Sequence, residues 1–380
     1  MNKTVYITGA GFSINSGAPS QEKLLEAIFA LRHVYSSKKN SSVNSWLNDL
    51  EKFMTEGLRV SNEKRDKYAL EDIYTPIDKA ILESSSFQKY TSSQLVILRN
   101  KINKLVMLAV RETIMEADKD KTSIKKFAKY LTNQARLRLK DEKNDSVSVI
   151  TTNWDIILDN EVYAAIKISN DKKNSNVLGV VDYCCYISSL DESDETIKPG
   201  LYAIGKGGFN VKILKLHGSL NWMQCSKCQR LYVKLYKRFT GGYIFNKKYC
   251  RHCEQNFKNK NDNTNLLSTN LITPTFLKNL NNIQNKLIWQ NAGVELSEAS
   301  RVVFLGYSLP AADFEFKQLM SKMLRSDAKI EVYLVANDNP ELVREEIKQY
   351  KAGYRYQTFF SGREITIYYS GVEEFMSQLP

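Results

Sequence analysis

Apolar and polar positions along the chain follow two rhythms, and the switches between them divide it. Thr4 to Thr8 (TVYIT) is a short β-branched and aromatic run that stops at Gly9-Ala10-Gly11. This is the pattern of a first strand entering the tight turn of a doubly wound sheet. Residues 21–144 instead space their apolar positions three and four apart between charges, as in Leu24, Leu25, Ile28 and Leu31, and later Ile124, Phe127, Ala128, Leu131 and Ala135. That spacing gives helices with one buried stripe. Strand character returns at 146–151 (SVSVIT) and 211–216 (VKILKL), each run ending on a polar cluster: Thr152-Asn153-Trp154-Asp155 and His217-Gly218-Ser219. Beyond these, helix 286–298, strand 301–305, helix 312–324, strand 330–335, helix 340–350 and strand 365–368 alternate as βαβ units do. The expectation is an α/β fold. A Rossmann-like parallel sheet is assembled from 1–20, 145–221 and 272–380, with a large helical insertion over 21–144 and a small zinc-ribbon module over 222–271.

Composition narrows the class. The 380 residues, 43% hydrophobic and 25% charged, exceed one compact core and exclude collagen-like, disordered and disulfide-scaffold chains. No apolar run approaches the ~20 residues of a membrane span, and MNKTVYITGAG lacks a signal peptide's basic-then-apolar shape, so a soluble, cytoplasmic protein is expected. The formal charge of +12 favours polyanionic partners, yet Lys and Asn are spread throughout rather than gathered into a patch. Within 222–271, Arg230, Lys234, Lys237, Arg238, Lys247, Lys248 and Arg251 interleave with Tyr232, Tyr236 and Tyr243, a composition compatible with nucleic-acid contacts. A solvated basic face is the favoured account of it.

Four of the six cysteines form two C-x-x-C pairs, Cys225/Cys228 and Cys250/Cys253, separated by 21 residues. Four thiolates in two knuckles suit tetrahedral Zn²⁺ and leave no open coordination position, so the metal is structural; a redox use is the alternative. His252, inside the second knuckle, is read as facing solvent. Cys184 and Cys185 are adjacent and read as buried small hydrophobes. The turn Gly9-Ala10-Gly11 lets backbone approach a pyrophosphate at a helix start. It lacks the third glycine of the dinucleotide fingerprint, Ile14 standing there, and the usual acidic residue further on, so a plain tight turn stays open as an alternative. Of the three histidines, His33 lies at a mixed helical position, whereas His217 closes an apolar strand and is followed by Gly-Ser.

Taken together, these motifs resemble the sirtuin superfamily. GAGFSINSGAP (9–19) looks like its NAD-binding loop, TTNWD (151–155) like its T-Q-N-x-D stretch and LHGS (216–219) like its histidine motif. The cysteine pairs follow in order, LGYSLP (305–310) sits where the G-T-S segment lies, and VAND (335–338) where a strand-end I-N contacts adenosine. The resemblance implies NAD⁺ as substrate, with Gly9, Ala10, Gly11 and Ser13 at the pyrophosphate. It implies Asn153 and Asp155 at the nicotinamide ribose, His217 as a base on the ribose hydroxyls, and Gly306, Ser308 and Asn337 at phosphate and adenosine ribose. Asp155 has a second reading, capping the helix after Trp154.

Departures from the deacetylase pattern point to a branch. Ser20-Gln21-Glu22 stands where deacetylases carry Asp-Phe-Arg, Thr152 replaces Gln, and nothing around LITPTFLKN (271–279) matches the segment that lines an acyl-lysine groove. With the helical insertion, the chain is similar to bacterial sirtuin-like antiphage effectors that hydrolyse NAD, some encoded beside a HerA-type hexameric ATPase. The resemblance therefore implies an NAD⁺ glycohydrolase working as a homo-oligomer or with such a partner. An NAD-dependent protein-lysine deacylase and a non-catalytic NAD- or ADP-ribose-sensing subunit are the alternatives.

Overall fold

A computed structural model describes residues 3–36, 42–116, 121–170, 178–191, 196–234, 248–257, 265–278 and 280–380. Its strands, in chain order, are β1 (Thr4–Thr8), β2 (Val147–Thr151), β3 (Gly179–Asp182), β4 (Ile187–Ser189), β5 (Phe209–Lys215), β6 (Gly218–Cys225), β7 (Leu231–Val233), β8 (Leu267–Leu271), β9 (Arg301–Leu305), β10 (Lys329–Tyr333) and β11 (Ile365–Tyr368). Seven of them form an all-parallel sheet in the order β11-β10-β9-β1-β2-β5-β3. The other four make a second sheet, β4-β7-β6-β8, in which β6 runs antiparallel to both neighbours. This is the expected α/β architecture: a doubly wound sheet and a smaller module carrying both cysteine pairs.

The parallel strands are buried along almost their whole length, as sheets covered on both faces must be. Thr8 is level with Thr151 and Leu305, so β1, β2 and β9 deliver their loops to one edge. From β1 the strand order grows through β2 on one side and through β9 on the other. The crevice between β1 and β9 is thus the topological switch point, where open α/β sheets hold ligands.

The residues between β1 and β2 do not form one unit. Helices α2 (Leu24–Val34), α3 (Ser42–Lys52), α4 (Leu70–Leu82) and α5 (Ser92–Glu116) follow the short α1 (Ala10–Ser13) and share their own core, among them Ile28, Leu47, Phe53, Ile73 and Leu105. Helix α6 (Thr122–Arg136) instead packs Ile124, Phe127 and Leu131 into the core of the main sheet. There the Phe127 ring meets Tyr6 of β1 edge-on at 5.1 Å. It is the crossover helix that every parallel strand pair needs, with the insertion proper set in front of it. Helix α7 (Ile157–Asn170) follows β2.

The helix expected over 340–350 is replaced by two short turns, Pro340–Leu342 and Glu345–Lys348, with Val343 and Arg344 extended between them. Ile347 and Tyr350 are exposed, so this stretch has no apolar stripe to hold it helical. A true helix comes later, at Ala352–Phe359.

Candidate functional site at the carboxyl edge of the sheet

The switch point is closed by glycines. Gly11 N–H donates to the Gly306 carbonyl at 2.9 Å. A Cβ on Gly11 would stand 2.8 Å from that oxygen, and one on Gly306, at φ +60°, would stand 2.3 Å from the Phe12 nitrogen. Neither position accepts a side chain without moving backbone, and a Cβ on Gly9, the first residue after β1, would likewise stand 2.6 Å from the Tyr307 Cα.

Behind this turn lies a small hydrogen-bonded cluster. Asn153 Nδ2 donates to the Gly9 carbonyl at 2.8 Å and to Ser13 Oγ at 3.3 Å. A carbonyl only accepts, so the amide's orientation is fixed and Oδ1 stays without a partner among the described residues. Ser13 is buried and also bonds the Asp155 carboxylate. Asp155 Oδ1 accepts from the Ile157 N–H at 3.0 Å, capping the start of α7. Burial pushes this carboxyl above the ordinary Asp range against the opposing charge of Lys215. The capping role is therefore present, alongside exposure of Asp155 to the cavity.

His217 arrives from the end of β5. Leu216 N–H donates to Thr151 O at 2.9 Å, Leu220 N–H to Trp154 O at 2.9 Å and Ile272 N–H to His217 O at 2.9 Å, lacing the Asn153 and His217 loops together. The imidazole hydrogen-bonds the Thr152 backbone, and Nε2 is buried with no hydrogen-bond partner. Asp313 Oδ1 lies 3.4 Å from that nitrogen. Burial holds the imidazole below the usual histidine value, opposed by the charge of Asp313 and assisted by that of Lys278. The neutral ring is thereby favoured near neutral pH.

Asp313 and Lys278 were not legible as site residues. Asp313 Oδ2 accepts from Tyr307 Oη at 2.8 Å. The fully buried Lys278 ammonium lies 3.2 Å from Asp313 Oδ1 and 3.1 Å from Glu315 Oε2, and it also bonds the Ala312 carbonyl. The available signal was an aspartate eight residues after the end of an apolar strand, in LGYSLPAAD, where ligand-facing groups sit.

Ala10, Gly11, Asn153, Asp155, His217, Gly306, Ser308 and Asn337 all line one cavity of about 720 Å³, together with Asp313. This size lies within the range of small-molecule sites. Gly9 and Ser13 are not among its lining residues; they lie behind Asn153. Leu70 of α4 and Val110 of α5 also contribute to the wall, so the insertion helps to enclose the cavity.

The two cysteine pairs converge. Cys225 Sγ lies 3.7 Å from Cys253 Sγ, Cys228 Sγ lies 3.6 Å from Cys250 Sγ, and all four sulfurs fall within 4.8 Å of one another. A tetrahedron with Zn–S bonds of about 2.3 Å separates its sulfurs by roughly 3.8 Å, so the donor set fits structural Zn²⁺. His252 stays outside it, bonded to Asn256. Tyr232 Oη contacts Cys250 Sγ at 3.2 Å, and Arg251 donates to the carbonyls of Ser189 and Leu190, tying the second knuckle to β4. The knuckles clamp one end of β6, whose other end, Gly218, follows His217 directly.

Of the basic and aromatic residues in this module, Arg230, Lys234 and Lys248 are exposed, while Tyr232 is buried against the thiols and so is unavailable for stacking. Tyr236, Lys237, Arg238, Tyr243 and Lys247 lie outside the described residues. Cys184 and Cys185 are free thiols, the second buried and the first partly so. No helix among the described residues is long and apolar enough to cross a membrane.

The chain is similar to solved sirtuin-type structures. One, described as a Sir2 homolog–NAD complex, is 14% identical over 99% of this chain and 87% of its own, with a TM-score of 0.43. Another, Sir2 bound to acetylated peptide, is 16% identical over 99% of this chain and 91% of its own, with a TM-score of 0.34. No protein-family model matches the sequence, and no curated protein does.

Proposed function

We propose that the protein binds NAD⁺ in the cavity at the switch point and hydrolyses its nicotinamide–ribose bond, yielding nicotinamide, ADP-ribose and a proton. The observation that carries this reading is the meeting of Asn153 and His217 beside the glycine turn, with the buried His217 Nε2 left without a hydrogen-bond partner among the described residues. An unpaired buried acceptor costs about 1–3 kcal/mol. A ribose hydroxyl or a water would satisfy this one.

In this reading Ala10 and Gly11 approach the pyrophosphate, Gly306 and Ser308 flank it, and Asn337 holds the adenosine ribose. Gly9 and Ser13 act from behind by setting the Asn153 amide. The C1′–N bond breaks with its electron pair returning to the pyridinium ring, so nicotinamide leaves neutral and needs no acid. Water oxygen bonds C1′ of the oxocarbenium-like ribose, and the proton it loses passes to His217 and then to solvent. Asn153 Oδ1 orients that water or the ribose hydroxyls, and Asp155 lies at the nicotinamide-ribose end.

Hydrolysis is favoured over deacylation by the segment after β8. It is tied to the insertion by Arg99 donating to Thr273 Oγ1 at 3.0 Å and by Phe276 N–H donating to Thr75 Oγ1 at 3.3 Å, and to β2's loop by Trp154 Nε1 donating to Ile272 O at 3.2 Å. On the sequence resemblance this is the segment that lines the acyl-lysine groove in deacetylases, and here it is tied to the insertion instead. On the sequence resemblance alone, the reaction would deplete NAD⁺ in antiphage defence, controlled by self-assembly or a HerA-type ATPase. Asn153→Ala should bind NAD⁺ in calorimetry yet release nicotinamide about 10²–10⁴-fold more slowly than the parent. Equal rates would remove Asn153 from the mechanism, and binding without release by the parent, with or without an acylated peptide or the ATPase, would favour the sensing subunit.

A further inference from the structure

We infer that Asp313 is the carboxylate partner of His217, a positioning residue that stabilises the ring once Nε2 has taken a proton, while the Thr152 backbone sets the ring's orientation. The inference deepens the hydrolase reading and rests on it for its catalytic part only. Four observations place Asp313 there. Its Oδ1 is 3.4 Å from Nε2. Both residues line the same cavity. Its other oxygen is held by Tyr307 Oη at 2.8 Å, and Lys278 Nζ lies 3.2 Å from the same Oδ1 that faces the imidazole. The aspartate is itself buried, only 5% exposed.

The tautomer follows from the ring's two neighbours. The Thr152 backbone can accept only through its carbonyl, so the nitrogen facing it carries the hydrogen and Nε2 carries the lone pair. A lone pair facing a carboxylate repels it, and a single hydrogen-bond donor approaching both atoms from the cavity relieves that repulsion. A ribose hydroxyl or the attacking water supplies that donor. As its proton moves to Nε2, repulsion becomes attraction between imidazolium and carboxylate, so the interaction strengthens along the reaction coordinate rather than in the ground state. The charged groups facing His217 are Asp313, Lys278 and Glu315, with Glu71 of α4 facing Asp313 and Lys278 from the insertion.

The test reads the imidazole directly. The chain has three histidines, so ring resonances of the selectively labelled full-length protein can be followed against pH, with His217 assigned from His217→Gln. In Asp313→Asn the His217 midpoint should move to lower pH by about one pH unit. Lys278→Gln, which leaves the carboxylate in place, should move it to higher pH. The acid limb of kcat/KM for nicotinamide release should follow the midpoint in both variants. An unchanged midpoint in the folded variants overturns the pairing. Should Asp313→Asn fail to fold, Asp313→Ser, which also removes the carboxylate, takes its place, because Lys278 acts on the imidazole directly as well. If the parent releases no nicotinamide, the hydrolase reading fails while the titration still decides whether Asp313 and His217 are paired.

Discussion

The two ends of the parallel sheet treat their buried ionisable groups in opposite ways. At the amino edge, Lys3 Nζ meets Asp145 at 2.8 Å, Glu295 at 2.7 Å and Glu298 at 2.7 Å, while Lys212 meets Asp145 and Glu295 at 2.6 Å each. Burial would lower the Lys3 ammonium, but the carboxylates override it and hold its pKa above the usual lysine value. At the carboxyl edge, His217 Nε2 is left without a hydrogen-bond partner among the described residues, and burial lowers the imidazole with only partial compensation from Asp313. One sheet therefore supplies an end whose buried charges are neutralised in an ion-pair network that ties strands together, and an end whose imidazole is left for a ligand to complete. Strand-end chemistry is separated from strand-end stability by the length of five residues.

Three outcomes would sharpen or break this contrast. The largest effect falls at the incomplete end: His217→Ala should lower nicotinamide release by about 10²–10⁴-fold with the circular dichroism spectrum unchanged. Loss of the fold in this variant would mean that the imidazole is structural, and the contrast would fail. At the ion-paired end the expectation inverts. Lys3→Met removes one partner of a buried network and should cost about 3–5 kcal/mol of stability, read by urea unfolding. Its release rate, measured well below the melting temperature, should match the parent's. The smallest effect is in pH. Because the folded-state value of His217 is depressed, the neutral base persists as pH falls until that lower value is reached. The acid limb of kcat/KM should therefore lie below about 6.5, the unperturbed histidine value. Stability should decline over the same interval, since the unfolded chain takes up the proton first. A limb above 6.5 would assign the base to another group.

Much of this organisation was legible beforehand. A β-branched run ending in glycine or a polar cluster marks a buried strand and its loop together, so β1, β9 and β11 fall at the expected residues and the ends of β2, β5 and β10 within two. The cysteine spacing carried the metal cluster because both knuckles are local. What stayed hidden depends on long-range placement. Nothing in sequence ties Asp313 to a histidine 96 positions earlier, because that contact exists only once β9 lies beside β1 and the loop after it reaches β5. Likewise α6 has the same amphipathic rhythm as the helices of the insertion, and periodicity alone does not say which core its stripe faces. Ser13 was expected at the pyrophosphate from its place in the glycine loop. The single turn of helix there rotates its hydroxyl inward to Asn153 and Asp155.

The most direct measurement is the release of nicotinamide and ADP-ribose from NAD⁺ by the purified chain, first without and then with an acetyl-lysine peptide. The account predicts equal amounts of both products, formed without peptide and unchanged in rate when peptide is added. Nicotinamide that is released only with the peptide, accompanied by acetyl transfer to ADP-ribose, would contradict it and make the protein a deacylase.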